Sequence, residues 1–496
     1  DVFERACVVH SLLMSSKALV AVLLAACAEA LVAPPRACAT RRASSLAESS
    51  SAPRRKISKT RLFMATTVTK EEYEAAIVAN GAPKTNGKER ITTLDKSIKT
   101  PDPVPEEGVA AAVECMQSGR LFRYNLNSAE ESHVSQCELE LCQYTGHKFA
   151  LGLNSCGTAI FLSLLCAGAE AGDKVLTNGF TFTAVPSAIV HAGCEPVYVE
   201  CDDSLCVDVP DLEKKMDLNP DCKYFIVSHM RGKIADMDGI KALCDKRGVT
   251  LLEDCAHSLG VLWDGKHTGH HGVISSFSSQ SYKMLNSGEG GFLVTDDDFA
   301  FAKAMAYAGA YETLAQKHSV VPSREALAAA MDGTVPNYSL RMHEATAAML
   351  RPQITTVDSR REAYNERYYD VAARLDALDE RLTVPVQRPQ VTIVGDSIQF
   401  FLDFDGDVDA QANAFLAHCE RRGLPVERFG AKNNARNFRN WKYAQQPLCG
   451  LPATRAIIDS AFDVRLPLMF DDRDIDTIVT IIDEAIADTF SGGVNA

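Results

Sequence analysis

Two rhythms of hydrophobic and polar positions run along this chain. The runs 150–153, 174–176, 195–200, 224–229 and 272–277, and the run that ends on Glu253 and Asp254, are apolar almost without interruption. Unbroken apolar runs of that length predict strands covered on both faces, as in a parallel sheet. Between them lie segments with helical spacing. A helix is expected from Glu106 to its stop at Gly119, another over 130–144 with its stop at Gly146, and others over 159–172 and 343–354. Glycine just past the last apolar position is the usual helix end. Beyond Thr355 come a long helix, an alternating strand over 397–404 and helices over 410–422 and 472–488.

Strand and helix taking turns predict an α/β fold, a mostly parallel sheet between helices, over 106–350. Residues 351–496 then form a smaller C-terminal α+β domain. The stretch 317–335 is irregular. Residues 66–105, with KTNGKER and TPDPVPEEG, read as a loosely ordered polar lead-in.

Residues 1–65 differ from the rest in having few acids and much Ala, Ser and Arg. Their one apolar run, 18–26, is too short to span a bilayer and suits a signal-peptide core behind Met14 and Lys17. The Ser- and Arg-rich segment that follows, to Arg61, has the composition of a transit peptide. Together they predict a two-part leader to a plastid, removed on arrival, with the secretory pathway or the cytoplasm as alternatives. No membrane association is expected of the mature protein.

The chain's 496 residues are enough for two domains, and its net charge of -14 argues against general nucleic-acid binding, which needs clustered basic surface. Most of the 16 cysteines stand singly inside apolar runs, as buried reduced thiols do. Cys137 and Cys142 lack a second pair at zinc spacing, and His267, His270 and His271 lack a partner acid, so no metal is expected.

Candidate chemistry concentrates in LLEDCAHSLGVLWDGKHTGHHGVISSFSSQSYKMLNSGEGGFLVT, Leu251 to Thr295. One buried strand delivers Glu253 and Asp254 to a crevice at its end. A second opens into a Ser-rich segment with a single lysine, Lys283, and a third follows Gly288, Gly290 and Gly291. A strand-end carboxylate, an imidazole at His257 and a lysine among small hydroxyls are what a pyridoxal 5′-phosphate site needs. The lysine forms a Schiff base, and the carboxylate keeps the pyridine nitrogen protonated. Lys283 lies among Ser281, Tyr282, Met284 and Leu285, so its ammonium is expected to be partly desolvated, which lowers an amine's pKa. The turn 154–158 is a possible phosphate cradle, although alone it is more often an ordinary capped helix start. In the loop 177–183, the aromatics Phe180 and Phe182 could lie against a planar ring. His229 is a general acid or a satisfied structural imidazole. The basic and aromatic stretch 433–441 is a surface loop or a pocket wall.

The set Glu253-Asp254-Cys255-Ala256-His257, then Phe277-Ser278 through Lys283, then Gly288-Glu289-Gly290-Gly291 resembles the DegT/DnrJ/EryC1/StrS family of sugar aminotransferases. The resemblance implies the type I fold of pyridoxal-phosphate transferases. It implies a cofactor phosphate held by Gly157, Thr158 and Ser278, a ring against Phe182, and Asp254 at the pyridine nitrogen. His257 would touch the phenolic oxygen or flank the ring, and Lys283 would be the covalent partner and proton shuttle. Asn337, in Asn337-Tyr338-Ser-Leu-Arg341-Met342, would reach the phosphate of a neighbouring subunit, which implies a homodimer with shared active sites. The family usually reads HLYG where this chain reads His229-Met-Arg-Gly232.

The activity implied is transfer of an amino group from glutamate or glutamine to a keto sugar, nucleotide-linked, or a keto cyclitol. A lyase or dehydratase of the same fold and a non-catalytic cofactor-binding regulator are the alternatives. Dehydratase relatives carry histidine in place of the lysine.

Overall fold

A computed structural model describes residues 92–310, 314–444 and 450–491. The leader reading and the lead-in up to residue 91 lie outside the described residues. Seven strands form the main sheet: β1 (Phe149–Leu153), β2 (Lys174–Asn178), β3 (Glu195–Val199), β4 (Tyr224–Ser228), β5 (Thr250–Asp254), β6 (Ile274–Ser278) and β7 (Gly291–Thr295). Their order is β1-β7-β6-β5-β4-β2-β3. From β2 to β6 all pairings are parallel, and β7 runs against both of its neighbours. Every residue of β1, β4, β6 and β7 is buried. The two-residue period survives only in which core each side chain joins: Phe225 and Val227 enter one cluster, Tyr224 and Ile226 the other. A sheet covered on both faces hides its alternation in this way.

The covering helices are α1 (Glu106–Ser118), α2 (His133–Thr145), α3 (Cys156–Cys166), α4 (Ala184–His191), α5 (Val209–Leu218), α6 (Met237–Arg247) and α7 (Asp298–Ala308). Gly119 and Gly146 adopt the left-handed conformation that ends α1 and α2. α2 starts at His133 instead of 130 because Ser132 accepts the Ser135 N–H as its cap. α3 begins and ends earlier than the expected 159–172. Ser155 caps it through the Thr158 N–H, and Gly168 and Gly172 beyond it take positive φ. Part of the stretch expected to be irregular is the short helix α8 (Arg324–Ala330), followed by α9 (Glu344–Ile354) and α10 (Val357–Leu378).

The C-terminal part is a second, antiparallel sheet. It orders β8 (Leu382–Thr383), β9 (Ser397–Leu402), β10 (Glu427–Arg428) and β11 (Ala461–Arg465) as β8-β9-β11-β10. With it come α11 (Val408–Arg421), α12 (Pro452–Ser460) and α13 (Asp472–Ser491). Phe415 meets Phe462 edge-on at 5.1 Å. Leu251 and Phe277 of the main sheet and Phe400 and Val464 of the smaller one share one apolar cluster, so the two sheets are not independent.

The lead-in departs from its polar appearance. Leu94 and Ile98 are buried, the Leu94 N–H donates to the Arg422 carbonyl at 2.8 Å, and Asp102 pairs with Arg360 at 2.7 Å. Two well-spaced apolar side chains suffice to dock an otherwise polar segment.

Candidate active site

The parallel strands β4, β5 and β6 end side by side, which brings Ser228, Asp254 and Ser278 to one edge of the sheet. Ser228 and Asp254 are register partners, and the Ser228 hydroxyl donates to Asp254 Oδ2 at 2.7 Å. The Ala256 N–H donates to Oδ1 at 3.1 Å. Burial raises the Asp254 carboxyl above its ordinary pKa, while these two donors, Lys283 and His229 pull the other way.

Its neighbour Glu253 points to the opposite face, as successive strand residues must. Glu253 accepts from His229 Nε2 at 2.9 Å and from the N–H groups of Gly269, His271 and Gly272 at 3.1, 2.8 and 2.6 Å. Burial works against its charge, but the His229 hydrogen bond and charge, the Gly272 N–H and His271 bring its pKa down to about 2. Glu253 therefore pins the 269–272 turn, and His229 is its structural partner. His229, Glu253 and Cys255 offer ligand atoms within 4.8 Å of one another, but both Glu253 oxygens are already engaged by donors. The remaining histidines diverge: His270 stacks on His147 at 3.8 Å, His267 lies against Tyr144 at 4.6 Å, and His271 faces Asp238 at 3.6 Å.

Glu253→Gln is expected to destabilise the fold by about 3 kcal/mol at neutral pH, seen as a lower denaturant midpoint. The folded pKa lies below the ordinary glutamate value of 4.5, so this contribution is complete above that value and is lost as pH falls toward about 2. The gap between wild type and variant should close over that window. Equal midpoints at neutral pH would remove the anchoring role.

Lys283 sits on a loop held by its own glycines. The Ser279 and Ser281 N–H groups donate to the Gly290 and Gly288 carbonyls at 3.1 and 3.0 Å, and the Lys283 N–H donates to the Gln280 carbonyl at 3.1 Å. A side chain on Gly290 would collide with Ser279 Oγ, which is why glycine stands there. Tyr282, next to the lysine, is held at φ 74, a strained value for a bulky residue. Lys283 Nζ lies 2.7 Å from Nε2 and 3.3 Å from Nδ1 of His257. Burial, then the charges of Arg231 and Arg436, brings the ammonium pKa down to about 7. Burial and the charge of Lys283 hold His257 well below the usual imidazole range, so it is neutral.

The buried Ser278 hydroxyl accepts the Gln280 N–H at 3.3 Å and lines a small cavity with Ala256, His257 and Lys283. Thr158 spends its N–H on Ser155 at 3.1 Å and its hydroxyl on Asn154 at 2.8 Å. The Gly157 N–H, at the head of α3, has no acceptor among the described hydrogen bonds. Phe180 is fully buried against Phe429, whereas Phe182 is 40% exposed, with the Arg436 guanidinium 5.7 Å from its ring centre. Phe182 is thus the aromatic that can meet a ligand. Asn337 is exposed and holds the Ser339 N–H at 2.7 Å, away from the Lys283 cavity of its own chain.

The stretch 433–441 is no free loop. Asn437, Phe438 and Trp441 are buried, and its Arg436 reaches Phe182. Ser228, Arg231 and Arg465 were not singled out from sequence. Only Arg231 carried a signal, as the departure from HLYG.

Residues 105–482 match the DegT/DnrJ/EryC1/StrS aminotransferase family. The chain belongs to that family. It is 35% identical over 164 residues to the putative L-glutamine:3-amino-2,3-dideoxy-scyllo-inosose aminotransferase of Streptomyces kanamyceticus, covering 33% of this chain and 39% of that protein. It is 31% identical over 193 residues to the GDP-perosamine synthase of Vibrio cholerae, covering 39% and 50%. The aligned parts therefore span about half of these relatives or less. Its fold is that of 3-amino-5-hydroxybenzoic acid (AHBA) synthase, with a TM-score of 0.68, 22% identity, and coverage of 80% of this chain and 100% of that one.

As in the DegT/DnrJ/EryC1/StrS family at large, the site is built for pyridoxal 5′-phosphate, and the residues here fit that group. Asp254 is a buried acid in no ion pair among the described residues, a position that a protonated ring nitrogen satisfies. A free N–H at Gly157, a hydroxyl at Ser278, an accessible ring at Phe182 and a partly deprotonated amine at Lys283 complete the set.

Proposed function

We propose that this chain is a pyridoxal-phosphate-dependent aminotransferase. It moves an amino group from glutamate or glutamine to a keto group on a nucleotide-linked sugar or a cyclitol. The observation that carries this reading is Lys283, a sheltered amine with its pKa near neutrality, beside a neutral imidazole and across from a buried acid. Of the two relatives, one is named for glutamine and a scyllo-inosose and the other for the synthesis of a GDP-linked sugar, in keeping with both kinds of acceptor.

When bound, the cofactor supplies an aldehyde that exchanges amino groups and a ring that accepts the charge left on the substrate carbon. Lys283 would hold that aldehyde, and its Nζ, when free, would carry a proton to and from the reacting carbon. An amine of pKa about 7 serves both directions at neutral pH. Asp254 would face the ring nitrogen and Gly157 and Ser278 would hold the phosphate, while His257 lies beside the lysine, whose pKa burial and the charges of Arg231 and Arg436 bring down. Lysine at this position, where dehydratase relatives carry histidine, favours transfer over elimination.

The exposed Asn337 supports a homodimer in which it completes the partner's site. The twelve described cysteines, all unpaired and buried, suit a reducing compartment such as the plastid stroma to which the leader would deliver the chain.

Purified protein loaded with the cofactor should change its near-ultraviolet absorbance to that of the amino-bearing form when glutamate or glutamine is added. A keto sugar or keto cyclitol should reverse the change. Absence of conversion with either donor would sink the reading and leave a cofactor-binding protein without turnover.

A further inference from the structure

The loop that carries Lys283 is clamped on the side away from its glycines, and the clamp ends in the lead-in. Arg360, on α10, donates through Nη1 to the Met284 carbonyl at 2.5 Å and through Nη2 to Asp102 Oδ2 at 2.7 Å. The Tyr364 hydroxyl, one helical turn further on, donates to the same Asp102 oxygen at 3.1 Å. Burial and then the charge of Asp102 push that phenol above its ordinary pKa, so it stays a donor. The Asp102 carbonyl accepts from Asn286 Nδ2 at 3.2 Å. Asn286 exchanges hydrogen bonds with Gln353 of α9, at 2.8 Å each way. Its Oδ1 accepts from the Ser281 hydroxyl and the Gly288 N–H at 3.2 and 3.1 Å. Asp102, Asp396, Arg360 and Arg465 line the same cavity of about 370 Å³ as Lys283, two acids against two guanidinium groups.

These contacts bracket Tyr282 and Lys283, where the loop is strained. A bulky residue at φ 74 persists only where its surroundings over-determine it. Arg465 Nη1 reaches the Tyr282 carbonyl at 3.3 Å from one side, and Arg360 holds the Met284 carbonyl on the other. A hydrogen bond from a charged donor favours the held state by about ten- to a hundredfold, the same span as the strain it opposes. The guanidinium is aimed at Met284 by the acid at its far end, and Asp102 is the one carboxylate paired with it among the described residues. Residues 105–482 carry the family match, so Asp102 lies on a part of the chain that precedes it.

We propose that Asp102 is a positioning residue for Lys283: through Arg360 and through its own carbonyl, it locks the strained loop that aims the amine into the site. The lead-in is then a working part of the site and not a spacer ahead of it. This rests on the aminotransferase reading for what the aimed amine does, and on hydrogen bonds alone for the aiming.

Hydrogen exchange on the cofactor-free protein tests the lock without any turnover. Asp102→Ala should speed exchange at the Lys283 and Asn286 N–H groups by about tenfold or more and leave the strands of the main sheet unchanged. Asp102→Asn, which keeps the volume, stands in should Asp102→Ala fail to fold. Arg360→Gln should act on the same two amides, and Arg360→Lys should not restore them, since an ammonium cannot span from Met284 to Asp102. Asp102→Ala combined with Arg360→Gln should exchange no faster than the faster single variant, because the two residues act as one unit. Lys96→Gln, which cuts the lead-in's ion pair with Asp474 at 2.6 Å, should leave both amides as in wild type. In the cofactor-loaded protein Asp102→Ala should lower kcat by about tenfold while KM for the donor stays within about twofold. Exchange at Lys283 and Asn286 equal to wild type in Asp102→Ala, an equal rise in Lys96→Gln, or a rise spread evenly over the sheet overturns the proposal. A rise confined to the loop, in a protein that converts with no donor, keeps the lock and refutes the aminotransferase reading. Conversion in the wild type beside an Asp102→Ala protein whose loop exchanges as before does the reverse.

Discussion

Lys283→Ala is expected to lower amino transfer by at least about 10⁴-fold, because in the proposed mechanism one amine both holds the cofactor aldehyde and carries the proton at the reacting carbon. The fold should survive. Lys283 makes no ion pair among the described residues, and its loop is held by backbone bonds from Ser279 and Ser281 to the glycines. Unchanged thermal unfolding beside lost turnover would separate the chemical role from a structural one. Added small amines should recover part of the proton transfer without restoring the covalent hold. In the wild type, capture of the cofactor by the empty protein should quicken with pH up to about 7, where the amine is half deprotonated, and level off above it. A capture rate still climbing steeply at pH 9 would mean that burial and the nearby arginines do not depress this amine. Turnover in Lys283→Ala within tenfold of wild type would remove the mechanism altogether.

What was legible from sequence follows what is encoded locally. The order of strands, helices and glycine stops was readable because each depends on a few neighbouring residues, as Gly119 and Gly146 illustrate. The lysine, the strand-end acid and the glycine loop were readable as one set because they fall within a single span of chain. Direction was harder: β6 and β7 read alike as apolar runs, yet β7 is antiparallel, a consequence of the short return through the glycines. Least legible were features closed by distant residues. Leu94 looked like part of a polar tail until its partner at Arg422 was in place. Strand β11 was missed because its role depends on pairing with β9, and with it went Arg465 and Asp463. Of Glu253 and Asp254, the strand end alone offered both and the resemblance assigned Asp254 to the ring; in the structure, donors from the 269–272 turn and His229 occupy both oxygens of Glu253. The arginines come together only in three dimensions, from positions 231, 436 and 465.

Asp254→Asn should move activity and stability in opposite directions, a signature that a merely structural acid would not give. With the charge gone, the ring nitrogen loses the partner that keeps it protonated, and turnover should fall on the order of 10³-fold. In the cofactor-free protein the same substitution removes a buried carboxyl whose charge burial disfavours. A neutral amide of the same shape can still accept from the Ala256 N–H, so cofactor-free Asp254→Asn should unfold at the same or a higher denaturant concentration than wild type. The sign with pH follows from the raised pKa. The folded state holds its proton more tightly than the unfolded one, so the cost of the charge is present above the unfolded value of about 4 and vanishes below it. The stability advantage of the variant should therefore shrink as pH falls toward that value. With cofactor bound the order should invert, since only the wild type then gains an ion pair at the ring nitrogen. An Asp254→Asn protein that is less stable than wild type both with and without cofactor would show that this acid supports the sheet edge and not the ring.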